Sequence, residues 1–333
     1  LDYTKHEITT QVDAWRDAHN AVVASAQSLT DLWQSGSYDY AVFTGCGSTF
    51  YLAQTAANLV QSHTGVLTRA VPASELLLHP DSVYAANKRT LMVVLSRSAT
   101  TSETLQAVEQ FKAQGRGEVV IISCYGDKPM NTYAAVNIVA EAGQEVSVAQ
   151  TRSFSAMLIM AEGMAKVFAG QVPAKQFAES LHDEVARARE QAASYADPQR
   201  FQRVFYLGSG PRYGLAAEAM LKMKEMSLTS AEAFHPFEFR HGPKSMVDDE
   251  TLIVGLLDAA DGQTFAAESA VLNEMAALGA TVVTLTPDTL AGYAEHPSLV
   301  HYLPFVQWLA YLRAVNKGLT PDTPRHLTQV VIL

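Results

Sequence analysis

The chain repeats itself. A strand-like apolar run, a Gly-x-Gly loop and a helical segment occur twice, 163 residues apart: Gly45-Cys46-Gly47 with Leu52, Ala53 and Ala56 returns as Gly208-Ser209-Gly210 with Leu215, Ala216 and Ala219. Thr90-Leu91-Met92-Val93 then matches Thr251-Leu252-Ile253-Val254 at a spacing of 161, and Gly117-Glu118-Val119-Val120 corresponds to Gly279-Ala280-Thr281-Val282. Chance supplies one such match. Three in order, at nearly constant spacing, indicate a duplicated domain.

Within each copy, continuous apolar runs alternate with helical patterns. Strands are expected over 40–44, 91–95, 119–123 and 136–140, and again over 204–207, 252–257, 281–285 and 301–305. Helices are expected over 50–61, 104–114 and 154–168, and over 212–228, 265–278 and 306–317. Strands that are apolar throughout, separated by helices, call for parallel sheets covered on both faces. The fold class is therefore α/β, with one domain over 37–170 and a second over 201–333. Residues 8–33 carry helical spacing, so 1–36 is expected as a helical segment packing outside the first domain. A charged helix over 175–196 forms the core of a connector spanning 171–200, its charges a solvated face.

Bulk properties narrow the function. A net charge of −10 without any Lys/Arg cluster excludes a nucleic-acid footprint. No apolar run of about 18 residues exists, so no membrane span is expected. The first residues, Leu1-Asp2-Tyr3-Thr4-Lys5-His6-Glu7, lack the core of a signal peptide. Cys46 and Cys124 sit beside apolar strands and read as reduced, buried thiols of a cytoplasmic protein.

The first loop carries Ser48 and Thr49 after its glycines. Phe50 stands where a dinucleotide fingerprint needs its third glycine, and a P-loop lysine is missing. The next strand ends in Ser96-Arg97-Ser98-Ala99-Thr100-Thr101-Ser102. Loops that follow adjacent parallel strands face one crevice, which gathers Thr49, Ser96, Ser98 and Thr101 around two helix N-termini. N-capping explains one hydroxyl per helix; the surplus fits a cradle for a phosphate monoester. The second copy has Leu257 and Ala259 in place of Ser96 and Ser98. Its helix carries Glu218, Lys222 and Glu225 on one face instead, either a surface ion pair or an acid-base array. His235, Glu238 and His241 have the residue types of a metal set, but Pro236 and Gly242-Pro243 break any helix that would align them, so no metal is expected. His241 reads better as a general acid/base on a rigid turn. Lys317 precedes the Pro-rich tail.

With these residues in view, the chain resembles the sugar isomerase (SIS) family, in particular the isomerase half of glucosamine-6-phosphate synthase, the AgaS-like deaminase/isomerases and the fructosamine-6-phosphate deglycases. The carrying motifs are Gly45-Cys46-Gly47-Ser48-Thr49, Leu95-Ser96-Arg97-Ser98, Ala142-Gly143-Gln144-Glu145-Val146, Glu218 to Glu225, Arg240-His241-Gly242-Pro243, and Lys317-Gly318 with Pro324-Arg325. The resemblance implies two tandem flavodoxin-like three-layer sandwiches. It implies phosphate binding by Ser48, Thr49, Ser96, Arg97, Ser98 and Thr101, and backbone contacts to the sugar from Val148 and Gln150. Glu225 becomes the carboxylate that moves a proton between C1 and C2. His241 becomes the ring-opening histidine, reaching into a neighbouring subunit of a homodimer with shared active sites, and Lys317 the lysine that forms a Schiff base. Glu218 and Lys222 support them. No cofactor is implied.

Two departures bear on specificity. Ser96-Arg97-Ser98-Ala99-Thr100 replaces Ser-x-Ser-Gly-Glu, and Gln150-Thr151-Arg152 replaces Ser-Thr-Lys. With no glutaminase segment ahead of Leu1, the expectation is a hexosamine 6-phosphate isomerase/deaminase that releases amine. A fructosamine-6-phosphate deglycase is the close alternative, and a non-catalytic sugar-phosphate regulator the alternative of another class.

Overall fold

The computed structural model describes residues 2–85, 87–172, 181–287 and 298–331. Its first sheet contains β1 (Tyr40–Gly45), β2 (Leu67–Pro72), β3 (Thr90–Ser96), β4 (Gly117–Ser123) and β5 (Val136–Val139) in the order β2-β1-β3-β4-β5. The second contains β6 (Arg203–Gly208), β7 (Ser230–Phe234), β8 (Thr251–Leu256) and β9 (Thr281–Leu285) in the order β7-β6-β8-β9. Every pairing is parallel. The two orders are one topology used twice, as the repeat predicts. Central strands β1, β3 and β8 are buried along their whole length, which is why they read as unbroken apolar runs.

Three elements differ from expectation for identifiable reasons. Strands β2 and β7 are absent from the sequence reading. Both are edge strands with alternating or partial exposure, so neither shows a continuous apolar run. The expected strand over 301–305 is helical: a 3₁₀ turn spans Leu299–Tyr302 and an α-helix spans Leu303–Asn316. Pro304 sits in the first turn of that helix, where its missing N–H costs nothing, whereas a central strand would lose a ladder bond. The helix is buried on almost every side, which erases the periodicity that separates helix from strand. Of the helix expected over 175–196, the span Leu181–Ala193 is observed; 175–180 fall outside the described residues.

Contacts group the chain into two compact units that do not follow chain order. One contains residues 10–145, 152–178 and 328–333 with the first sheet; the other contains 1–9, 146–151 and 179–327 with the second. In the first, the long helix Gln11–Gly36 packs on the helix Arg152–Phe168, with Trp15 Nε1 donating to Ser155 Oγ at 2.7 Å. In the second, the Tyr3–Thr9 helix is tied to the C-terminal segment: Asp322 accepts the Tyr3 and Thr4 N–H groups at 3.0 and 2.7 Å.

The repeat extends to backbone conformation. Gly117 and Gly279 enter equivalent strands at φ +152 and +108. A Cβ on Gly117 would lie 1.9 Å from the Thr90 carbonyl oxygen, whereas one on Gly279 would meet nothing closer than 3.4 Å. Gly117→Ala is therefore expected to destabilise by about 2–3 kcal/mol from clash plus strain, and Gly279→Ala by about 1 kcal/mol from strain alone. Urea denaturation of the two variants checks the ranking.

Candidate active site

Parallel pairing places Thr44 beside Val94, so the loops after β1 and β3 leave one end of the first sheet. In the first loop, a Cβ on Gly45 would lie 2.6 Å from the Thr49 backbone, and Gly47 turns at φ +58. Thr49 Oγ1 accepts the Cys46 N–H and donates to the Cys46 carbonyl, both at 2.9 Å. Ser48 opens the helix Ser48–Thr64. In the second loop, Ser96 Oγ accepts the Ala99 N–H at 3.1 Å, and Ser98 Oγ accepts the Thr100 N–H at 3.2 Å and its hydroxyl at 3.0 Å. Thr101 is the N-cap residue of the helix Ser102–Ala113 and makes no side-chain capping bond. Cys46 Sγ joins the loops, 3.5 Å from Glu103 Oε2 and 3.4 Å from Thr104 Oγ1. Two helix N-termini thus stand side by side with hydroxyls between them, the arrangement that favours an anion.

Cys46 is partly rather than fully buried, unlike Cys124; burial, with the Glu103 carboxylate beside it, pushes its thiol up to about 11, which disfavours the thiolate. Arg97 shares the loop, but its guanidinium lies 3.8 Å from Glu145 and donates to the Gln329 carbonyl at 2.9 Å. Ala99 adopts φ +51, a left-handed conformation that costs an L-residue roughly 1–2 kcal/mol. A glycine would take it freely.

The corresponding loop of the second copy is filled from within. Arg212 stands 163 residues after Thr49, and its guanidinium lies 3.2 Å from Asp258, 3.9 Å from Glu268 and 3.4 Å from Ser209 Oγ. Ser209 itself donates to Glu268. Two carboxylates against one guanidinium leave nothing for a phosphate to neutralise.

The helix that follows, Arg212–Ser227, carries the charged face. Lys222 is 1% exposed. Its amine lies 3.2 Å from Glu218 Oε1 and 2.5 Å from Glu225 Oε2. Burial alone would lower its pKa; Glu218 and then Glu225 outweigh that and raise it. Glu218 is equally buried, while Glu225 keeps an 18% exposed side chain. This is not a surface ion pair. One carboxylate of the group, Glu225, reaches solvent, and Lys222 lies between it and the buried Glu218.

Lys317 caps the helix Leu303–Asn316, and its amine donates to the Ser227 carbonyl and to Thr229 Oγ1, both at 2.8 Å. It therefore sits at the C-terminal end of the helix that carries Glu225. No carboxylate pairs with it among the described residues. Burial and the neighbouring Arg313 both lower its pKa. Arg313, 2% exposed, donates to the same Thr229 hydroxyl at 2.9 Å and to the Asp197 carbonyl at 2.8 Å. Val148 and Gln150 lie on the 146–151 loop of this unit, and the Val148 N–H donates to the Asp322 carbonyl at 3.1 Å. His241 is exposed on the turn after the Pro236–Phe239 helix. His235 stacks on Tyr213 with ring centroids 4.0 Å apart. Tyr213, Arg313, Thr229 and Asp322 carry no motif, and the sequence reading passes over them.

Removing the Lys222 charge takes the cation away from the buried Glu218 carboxylate. Lys222→Met is expected to destabilise by about 3 kcal/mol at pH 7. In the wild-type chain the raised Lys222 pKa makes this contribution fully present below 10.5 and lost only as pH rises through the folded-state value above it. Denaturation of both proteins across pH measures this.

Comparison with known proteins places the fold in a family. The SIS domain model matches residues 39–166 and 199–307. Glutamine–fructose-6-phosphate aminotransferase (isomerizing) of Pyrococcus horikoshii is 28% identical over 98% of this chain and 56% of its own length. D-galactosamine-6-phosphate deaminase AgaS of a Shewanella species is 27% identical over 98% of this chain and 89% of its own. The crystal structure of glucosamine-6-phosphate deaminase from Thermotoga maritima superposes with a TM-score of 0.73 at 25% identity, covering 95% of this chain and all of that one. The chain spans a little over half the length of the aminotransferases it matches. Two matched segments, each centred on one of the duplicated sheets, establish that the chain belongs to the SIS domain family.

Proposed function

We propose that the chain is an amino-sugar phosphate isomerase/deaminase, converting a hexosamine 6-phosphate and water to a ketose 6-phosphate and ammonia. The observation that carries this reading is Lys317: an amine without a carboxylate partner among the described residues, held on the C-terminal end of the helix that presents Glu225. A regulator that only binds sugar phosphate has no use for an amine so placed or for a partly exposed carboxylate on the same helix.

The residues divide the work. The hydroxyls and helix N-termini around Ser48, Thr49, Ser96, Ser98 and Thr101 take the phosphate. His241, serving a second copy in a homodimer, moves the proton that opens the sugar ring. Glu225 accepts the proton from C2 of the open aldose and returns it to C1, leaving an imine at C2. Water adds to that imine and ammonia departs. In the reverse sense, with the ketose phosphate as starting material (the ketose direction), the neutral Lys317 amine adds to the C2 carbonyl and expels water, and the resulting iminium acidifies the neighbouring C–H. Lys222 holds the Glu225 carboxylate in place, and Glu218 pairs with Lys222. The deaminases among the relatives support the amine-releasing direction over amine transfer.

A panel of hexosamine 6-phosphates and fructosamine 6-phosphates, with ammonia and amino acid scored separately, tests the reading. Ammonia and ketose phosphate are the expected products. Amino-acid release would make it a deglycase, and binding without turnover a regulator. Glu225→Gln is expected to lower turnover about 10²–10⁴-fold without weakening binding of inorganic phosphate; full activity in that variant sinks the assignment. Because only the neutral amine attacks, the ketose-direction rate should fall as pH drops through the Lys317 pKa, which lies below 10.5.

A further inference from the structure

Residues 146–151 alternate strictly. Ser147, Ala149 and Thr151 are buried, while Val146, Val148 and Gln150 face outward to differing degrees. The outward members include both residues assigned to the sugar. The inward members are held by chain segments far away in sequence. Gln307 Nε2 donates to the Thr151 carbonyl at 3.0 Å. The Glu7 carboxylate, 1% exposed on the Tyr3–Thr9 helix, accepts the Val146 N–H at 2.6 Å, the Ser147 N–H at 3.3 Å and the Ser147 hydroxyl. Asp322 completes the arrangement. Its side chain holds the start of the Glu7 helix, and its carbonyl accepts the Val148 N–H at 3.1 Å.

A buried carboxylate is a costly way to hold a loop. A hydrophobic contact would anchor it more cheaply but would not fix its register, because apolar packing is non-directional. Charge-assisted bonds to two successive N–H groups and one hydroxyl define both position and rotation. In a segment of period 2, a one-residue slip would turn Val148 and Gln150 inward and Ser147 and Ala149 outward.

We propose that Glu7 is a positioning residue for the sugar. Through Val146 and Ser147 it holds the 146–151 loop in the register that presents Val148 and Gln150 to the substrate's carbon chain. This rests on the isomerase/deaminase reading given above. The phosphate cradle belongs to other segments, so Glu7 should affect recognition of the sugar and leave recognition of phosphate alone.

The test is steady-state kinetics on the full chain, below the melting temperature of every variant, with inorganic phosphate as a competitive probe. Glu7→Ala is expected to raise KM for the hexosamine 6-phosphate at least tenfold. The inhibition constant of inorganic phosphate should stay within twofold of wild type. Glu7→Gln keeps one acceptor oxygen for the two N–H groups and should recover most of the loss; it also carries the test if Glu7→Ala does not fold. Unchanged KM in a variant that melts earlier would make Glu7 a structural brace only. A parallel rise in both constants would mean general loosening, and either result overturns the proposal. Amide hydrogen exchange separates this from failure of the underlying reading, since it needs no substrate. Val146, Ser147 and Val148 should exchange faster in Glu7→Ala. Unchanged protection refutes the proposal even if the wild-type chain proves active, whereas a wild-type chain inert on the whole panel refutes the function alone.

Discussion

Parallel pairing of β1 with β3 is the constraint on which the hydroxyl-lined pair of loops depends. Strands that run the same way must end at the same edge, and each must then turn into a helix to return. Two helix N-termini therefore arrive together wherever two such strands are neighbours, with unpaired N–H groups and positive dipole ends aimed outward. The fold supplies this in both copies, since β6 pairs with β8 as β1 pairs with β3. Side chains decide whether the place is used. Small hydroxyls at Thr49, Ser96 and Ser98 leave it open to an anion. Arg212, Asp258 and Glu268 fill it with the chain's own charges. In the second copy the charged residues Glu218, Lys222 and Glu225 stand on the helix that follows the filled loop.

Two lysines in that second unit illustrate how environment assigns chemistry. Lys222 and Lys317 start from one intrinsic pKa and move in opposite directions. Lys222 is the more deeply buried, yet two carboxylates hold its proton on, so it acts as a fixed charge. Lys317 meets carbonyls, a hydroxyl and a nearby guanidinium, so it gives its proton up more readily. Pairs of titratable groups driven apart in this way mark out separate roles. Arg313 has a part in both geometry and charge, sharing the Thr229 hydroxyl with Lys317.

The central strands, the Gly-x-Gly loops and the charged helix face were legible because each writes a local pattern. A strand buried on both sides is apolar without interruption, and residues at i, i+4 and i+7 share a helix face whatever surrounds them. Edge strands β2 and β7 lack this signal, since half their surface faces water and tolerates polar residues. The 301–305 segment misled for the opposite reason. A helix buried all round has no polar stripe, and five apolar residues look the same in either state; Pro304 was the one discriminating mark. The engagement of Arg97 with Glu145 and Gln329 was illegible too, because neither partner lies near it in sequence.

The same reasoning explains why the bracing of the 146–151 loop leaves no motif. Glu7 and Ser147 are 140 residues apart, and Thr4 and Asp322 are separated by 318. No spacing rule connects residues that meet only after the sheets have formed. A mid-chain segment becomes part of a unit built mainly from later residues, and its first contacts come from the N-terminal helix and the C-terminal tail. Such contacts close very long loops, but loop-closure entropy grows only with the logarithm of length, so a long closure costs little more than a short one. What they gain is directional control of a loop that has no regular structure of its own. A loop bonded only to its sequence neighbours would have to fix its register by strain. This one is held from outside by buried, charge-assisted hydrogen bonds, which leave Val146, Val148 and Gln150 facing outward.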